Sequence, residues 1–329
     1  IWAVVKANGY GHGLENVVKG FESADGLSLI EFDKAVFLRE LGWDRPIMMM
    51  EGMFDYSDLD IIDKHNLQPV IHNEEQIKMI HKKKFNNRIE IYLKINTGMN
   101  RLGFPCNEVK KKYHELISLP SIKKVSLLTH FANAETNNSL LNVEKQVEFF
   151  QKSCEGIKAE ITLSNSAALL HKCNIYSDWV RPGIMLYGGS PGGGSASSFG
   201  LTPVMTLKSK FISIQNLNPG DTVGYGSLFK AQSKMRIGIV ACGYGDGYPR
   251  HAKTGTPVIV NNIRTKILGQ VSMDLITIDI TKIPDVNLNS EVILWGEKLS
   301  IDEIASLSGT VSYELMCSVN ERVIRVKSN

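Results

Sequence analysis

Apolar and polar positions along this chain keep one rhythm as far as Tyr187 and another beyond it. In the first stretch, short runs of apolar and branched residues recur. They are IWAVVK (1–6), LSLIE (27–31), PIMMME (46–51), QPVIH (68–72), IEIYLKIN (89–96), VSLLTHF (125–131), EITLSN (160–165) and WVRPGIMLY (179–187). Each has the length and composition of a strand buried on both faces of a parallel sheet. Segments such as LENVVKGFES and LLNVEKQVEFFQKSCEGI lie between them. In the second, Leu141, Val143, Val147, Phe150 and Cys154 form an approximate helical stripe.

Eight strands, each followed by a helical or crossing segment, predict a (β/α)8 TIM-type barrel. An open, doubly wound sheet is the competing α/β arrangement. No G-x-G-x-x-G follows the first run, which weakens its dinucleotide-binding version.

The stretch GGSPGGGSASSFG (188–200) reads as a flexible connection. Its GGG is not a phosphate loop, since no G-K-[ST] follows. From Leu201 the pattern turns to sheet: FISIQNL, RIGIVACGYG, PVIVNNIRTKIL, MDLITIDI and EVILWG, with Asn261–Asn262 as a tight hairpin turn. SIDE (300–303) is a capping-box pattern ahead of a short helix, and GYGDGY (243–248) fits a kinked strand exit. The expected division is therefore a barrel over 1–195 and a β-rich C-terminal domain over 196–329.

Composition narrows the function classes. Hydrophobic residues make up 43% of the 329-residue chain, charged residues 22%, and the formal charge is +3. That balance gives no general argument for nucleic acid or an anionic membrane as partner, and no run of eighteen apolar residues predicts a span. HKKK (81–84) and KKK (110–112) read as solvated helix faces. Five scattered cysteines without a CxxC pair point to a reducing compartment and away from a thiolate metal site; no metal is expected. The chain starts at Ile1 inside a strand, so preceding sequence is expected, with a cleaved leader as an open alternative.

The barrel prediction gives the strand ends their meaning, because active sites of such barrels lie at the carboxyl ends of the strands. The residues predicted there are Lys6, Lys94 leading to Arg101, His130, Asn165 with Ser166, and Arg181. Cations, a histidine and a serine on one face describe an anion-binding, proton-moving site. Each has a plainer structural reading: a strand-end lysine for Lys6, a snorkelling lysine for Lys94, a satisfied histidine for His130, a helix N-cap for Ser166.

The segments AVVKANGYGHG, LKINTGMNRLGF, LLTHFANAE, SNSAA, RPGIMLYG, VGYGSLF, GYGDGYPR, VSMD and VSYE occur in this order along the chain. Together they resemble the alanine racemase family, fold-type III enzymes dependent on pyridoxal 5'-phosphate. The resemblance implies that Lys6 carries the cofactor covalently and that Tyr10, Ser166, amides near Gly183 and Ile184, and Tyr313 receive its phosphate. It places Asn165 and His130 beside the cofactor and Arg181 at the ring nitrogen. An arginine keeps its proton, with a free pKa above about 12, so that nitrogen stays unprotonated and transamination is disfavoured.

The same resemblance makes Lys6 and Tyr225 the two bases, with His130 and Arg181 as the chain that favours the Tyr225 phenolate. Arg101 and the Met273 amide are implied to hold the carboxylate of alanine, and Tyr244 and Arg250 to line the entrance. Lys94 is implied to be carbamylated, as its equivalent is in several family members. Tyr225, Tyr244, Met273 and Asp274 are implied to serve a partner's barrel in a homodimer, in a cytoplasmic bacterial enzyme supplying D-alanine for peptidoglycan.

Two departures from the family pattern stand out. Gly9 replaces a common alanine, a change expected to loosen the turn. Asn96 replaces a frequent aspartate and removes negative charge near Lys94 and Arg101. The alternatives are a broad racemase acting on serine, lysine or arginine, a decarboxylase of the same fold class, and a non-enzymatic pyridoxal-phosphate carrier. Arg181 and Tyr225 argue against the decarboxylase, and the β-rich domain against the carrier.

Overall fold

All eight predicted runs contribute a strand to one parallel sheet. In the computed structural model, which describes residues 1–136, 140–171 and 173–327, these are β1 (Trp2–Val4), β2 (Gly26–Leu29), β3 (Ile47–Met49), β4 (Gln68–Ile71), β5 (Ile89–Asn96), β7 (Ile122–Leu128), β8 (Ile161–Asn165) and β9 (Trp179–Arg181). They neighbour one another in chain order, with the short β6 (Phe104–Pro105) attached to β5. The Val4 N–H donates to the Pro182 carbonyl at 3.1 Å, which joins the two ends of the order. A strand order without reversal, brought back on itself, is a barrel rather than a doubly wound sheet.

The lumen is filled first with apolar side chains. Trp2, Met48, Val70, Tyr92 and Leu128 form a buried cluster. Trp2 meets Tyr92 edge-on at 5.9 Å and stacks on Trp179 at 4.9 Å. A Cβ on Gly26 would lie 2.3 Å from the Trp2 ring, so this glycine makes room for the tryptophan. Side chains two residues apart on a strand share a face. The positions two beyond Tyr92 and Trp179 are Lys94 and Arg181, and two beyond Leu128 is His130. A polar layer therefore succeeds the apolar one toward the carboxyl ends.

The eighth run is a strand only to Arg181. Pro182 has no N–H for the ladder, and the chain turns into a 3-10 segment, Ile184–Tyr187. The stripe predicted before Cys154 becomes the helix Val143–Ser153, capped by Asn142. Its buried residues are Val143, Gln146, Phe150 and Ser153, so a glutamine stands where the stripe implied an apolar residue.

The chain divides into two compact units: Ile1–Gly9, Gly13–Leu186 and Pro191–Gly193 in one, and Tyr10–His12, Tyr187–Ser190 and Gly194–Asn329 in the other. The second contains a six-stranded antiparallel sheet. Its strands are β10 (Leu207–Leu217), β13 (Met235–Val240), β14 (Pro257–Val260), β15 (Ile263–Lys266), β16 (Ile276–Asp279) and β17 (Glu291–Trp295), in the order β15-β14-β17-β10-β13-β16. A separate pair, β11 (Thr222–Val223) and β12 (Phe229–Lys230), flanks the Tyr225 loop. Asn261 (φ 47°) and Asn262 (φ 67°) make the predicted hairpin turn, since asparagine tolerates the left-handed region.

The glycine-rich stretch is more tightly held than its composition suggested. Within the first unit the His171 ring meets the Gly192 carbonyl at 3.1 Å, and within the second the Ser190 N–H donates to Asp302 at 3.1 Å. The helix after SIDE begins at Ile301, and Ser300 accepts from the Asp302 N–H rather than from residue 303. Among the described residues no helix is long and apolar enough to cross a membrane, and none of the five cysteines is in a disulfide.

Candidate active site

Lys6 lies beyond the end of β1, not within it. Behind it Ala7 (φ 51°), Asn8 (φ 54°) and Gly9 (φ 63°) turn left-handed. That conformation costs an L-residue with a Cβ about 1–2 kcal/mol. Hydrogen bonds hold the turn: Gly9 N–H to the Val5 carbonyl at 2.9 Å, Gly13 N–H to the Asn8 carbonyl at 2.9 Å, and Ala7 N–H to Glu31 at 2.9 Å. Gly9 was expected to loosen this turn. At φ 63° it is instead the one residue of the three that adopts the conformation without a Cβ penalty.

Arg181 is 3% exposed. Its guanidinium donates to the Thr162 carbonyl (2.6 Å) and hydroxyl (2.8 Å), the Thr129 carbonyl (2.6 Å) and the Leu163 carbonyl (3.2 Å). Burial without a carboxylate among these partners pulls its pKa down to about 10, below the free value expected from sequence, yet still protonated at neutral pH. Its hydrogen bonds go to main chain and hydroxyl rather than to the His130 ring.

Lys94 is 8% exposed, so the snorkelling reading does not hold. Burial, then Arg181 and Arg101, lower its pKa to about 8. The His130 imidazole is held well below its ordinary value by burial first and then by Arg181, Arg101, Lys94 and Lys6. Partial surface access does not offset four cations, so the ring is neutral at pH 7. Lys94, Arg101, Thr97, Met99, Thr129 and His130 line a small open cleft. Asn96 accepts from the Gly98 and Asn100 N–H groups, both at 3.0 Å, and so shapes the turn leading to the exposed Arg101.

Asn165, not Ser166, caps the short helix Ser166–Leu170, accepting from the Ala168 N–H at 3.0 Å. This leaves the Ser166 hydroxyl to face the loop after β9. It accepts from the Gly183 N–H at 2.8 Å and, more weakly, from the Met185 N–H at 3.4 Å. Met185 rather than Ile184 therefore supplies the second amide at this point.

In the second unit, Tyr10 is 6% exposed, stacks on Tyr187 at 4.7 Å and lies 6.0 Å from Tyr313. Burial, then Tyr313 and Cys317, push its pKa up, so the phenol is a hydrogen-bond donor at neutral pH. Tyr225 is 74% exposed at the start of a short 3-10 turn, and Met273 is 54% exposed. The Gly245 and Tyr244 N–H groups donate to the carbonyls of Met273 (2.8 Å) and Ser272 (3.1 Å), which fixes these segments side by side. Arg322 bridges Asp246 and Asp274, both at 2.7 Å, and Arg250 is exposed.

Two family models, described as the N-terminal and the C-terminal domain of alanine racemase, match residues 1–191 and 204–327. The chain belongs to the alanine racemase family.

The alanine racemase of Janthinobacterium sp. (strain Marseille) is 51% identical over all of this chain and 92% of its own length. That of Paraburkholderia phytofirmans is 47% identical over 98% of this chain and 90% of its own. The crystal structure of biosynthetic alanine racemase from Pseudomonas aeruginosa is similar with a TM-score of 0.96 and 38% identity, covering 100% of this chain and 92% of that one.

The alanine racemase family depends on pyridoxal 5'-phosphate. The donor set of the first unit fits such a group. Two main-chain N–H groups and a hydroxyl meet at Ser166, a combination suited to phosphate oxygens without a lysine. Lys6 offers an amine and Arg181 a protonated donor deep in the barrel.

Sequence reading missed the residues that hold the named ones: Thr129 and Thr162 under Arg181, Gln146 behind His130, and Arg322 between Asp246 and Asp274. Only Gln146 left a usable signal, as a polar residue three positions from the apolar Val143 on the helix's inner face.

Proposed function

We propose that this chain interconverts L- and D-alanine with pyridoxal 5'-phosphate, Lys6 and Tyr225 exchanging the Cα proton on opposite faces. The observation that carries the reading is Arg181. In a member of the alanine racemase family, a protonated guanidinium sits buried on three carbonyls and a hydroxyl.

When bound, pyridoxal 5'-phosphate supplies an electron sink that acidifies the Cα–H of an amino acid. Lys6 binds the cofactor and, when freed, holds the proton at Nζ on one face. The Tyr225 Oη holds it on the other. A phenol with a free pKa of about 10 is a poor base at neutral pH and needs a partner. His130, neutral and ringed by cations, is that partner, and Arg181 contributes the positive charge. Arg181 also donates toward the ring nitrogen without surrendering its proton, which keeps the chemistry at Cα. Ser166 with Gly183 and the neighbouring amides of 184–185, Tyr10 and Tyr313 bind phosphate, and Asn165 orders the Ser166 turn. Arg101 and the Met273 amide bind the substrate carboxylate, while Tyr244 and Arg250 restrict entry to a small amino acid.

Lys94 is carbamylated in this reading: its neutral amine adds to carbon dioxide, losing one proton and gaining an anion that offsets Arg101. The exposure of Tyr225, Leu228 and Met273 supports a homodimer in which residues 196–329 of one copy serve the barrel of residues 1–195 in the other. The setting is the bacterial cytoplasm, with D-alanine used in peptidoglycan.

The test is incubation of the purified enzyme with L-alanine in deuterated water, with serine, lysine and arginine alongside. Rapid D-alanine formation with Cα exchange is expected, and slower turnover of the others. Faster turnover of lysine or arginine would move the substrate to the broad-racemase alternative. No Cα exchange with any of them would remove the racemase reading.

A further inference from the structure

The helix Val143–Ser153 turns one polar side chain fully inward, and that glutamine is 0% exposed. The Gln146 carboxamide makes three hydrogen bonds, which use both of its N–H groups and its oxygen. Its oxygen accepts from the Ala132 N–H at 2.8 Å, and its nitrogen donates to the His130 carbonyl at 3.1 Å and to the Thr97 hydroxyl at 2.8 Å. Thr97 continues to the Thr129 hydroxyl at 2.8 Å, and Thr129 donates to the Ile95 carbonyl at 2.9 Å. Proton counting gives this relay one direction, from Gln146 through both threonines to the main chain of β5.

The consequence falls on His130. The carbonyl just before it, that of Thr129, is held by Arg181, while its own carbonyl and the amide two residues on are held by Gln146. The main chain of the histidine is gripped from the lumen by a guanidinium and from the outer helix layer by a carboxamide. A buried side chain held by three hydrogen bonds, with both donors committed, is costly to move, because any shift strands a donor or acceptor away from water.

We propose that Gln146 is a positioning residue for His130, fixing the imidazole at the strand exit and, through Thr97, coupling it to the segment that carries Lys94 and Arg101. The proposal rests on the role given to His130 above, and it extends the site outward into a helix that contributes no group to the chemistry.

The experiment compares Gln146→Met, close in volume but without hydrogen bonds, with Phe150→Leu, which trims the apolar packing of the same helix. Two readouts are taken. The first is steady-state racemisation of alanine by the cofactor-loaded enzymes. The second is the imidazole NMR spectrum of histidine-labelled protein without cofactor, in which His130 is assigned among the eight histidines. For Gln146→Met, kcat should fall by about tenfold to a hundredfold, as for a group displaced by ~1 Å, with KM little changed. The His130 signal should shift or split while the other histidines stay in place. Phe150→Leu should lower the unfolding temperature and leave both readouts where they are.

Wild-type kcat in Gln146→Met with an unmoved His130 signal would overturn the proposal, as would equal effects from Phe150→Leu. If Gln146→Met does not fold, Gln146→Glu keeps the shape, withdraws donors at neutral pH, and carries the same expectations. Should the wild type not racemise alanine, the function reading fails, but the NMR arm still decides whether Gln146 positions His130.

Discussion

Lys94 is where burial and charge make a quantitative prediction. Its pKa falls from 10.5 to about 8 because the amine is desolvated and faces Arg181, Arg101 and Lys6, with only Glu51 opposing. At pH 7.5 roughly a quarter of such amines are neutral, against roughly one in a thousand for an ordinary lysine. Carbamate formation draws on the neutral amine, so the site is poised for it more than a hundredfold better than a surface lysine by this measure alone.

Without carbon dioxide, the folded protein carries the buried charge below pH 8 at a cost of up to ~3 kcal/mol. Between the folded value of about 8 and the unfolded value of 10.5, the unfolded state binds more protons, so stability rises with pH across that window. In carbon-dioxide-free buffer at pH 7, Lys94→Met should therefore be more stable than wild type by up to ~3 kcal/mol in urea unfolding, and the gap should close by pH 10.5. Bicarbonate should stabilise only the wild type, and 13C-bicarbonate should give it a bound carbamate signal that Lys94→Met lacks. A wild type indifferent to bicarbonate, with no such signal, would refute carbamylation. No gain in stability for Lys94→Met in the stripped buffer would refute the pKa argument beneath it.

Gly9→Ala places a Cβ at φ 63° and should lower the unfolding free energy by about 1 kcal/mol, read as a shift in urea midpoint; a stabilised variant would contradict the left-handed turn. Sharing of sites between subunits is checked by mixing inactive Lys6→Ala and Tyr225→Phe chains. About a quarter of the sites in randomly mixed dimers should regain both bases, and no recovery after confirmed subunit exchange would count against sharing.

Local sequence determined the alternation of strand and helix, the change of period after Tyr187, and the Asn261–Asn262 turn, because each depends on neighbouring residues and their backbone preferences. It also placed Lys94 and Arg181 on the barrel strands, since strand periodicity and chain order suffice for that. The charge states were not legible. The neutral His130 and the lowered pKa values of Lys94 and Arg181 come from desolvation and, for His130 and Lys94, from cations as many as 124 positions apart along the chain. Nor was the shell legible that joins Gln146 to Thr97 and Arg181 to Thr129, whose members lie 49 and 52 residues apart. Such contacts exist only once the barrel closes and water is excluded. Only then does an unpaired polar group become expensive enough to select its partner.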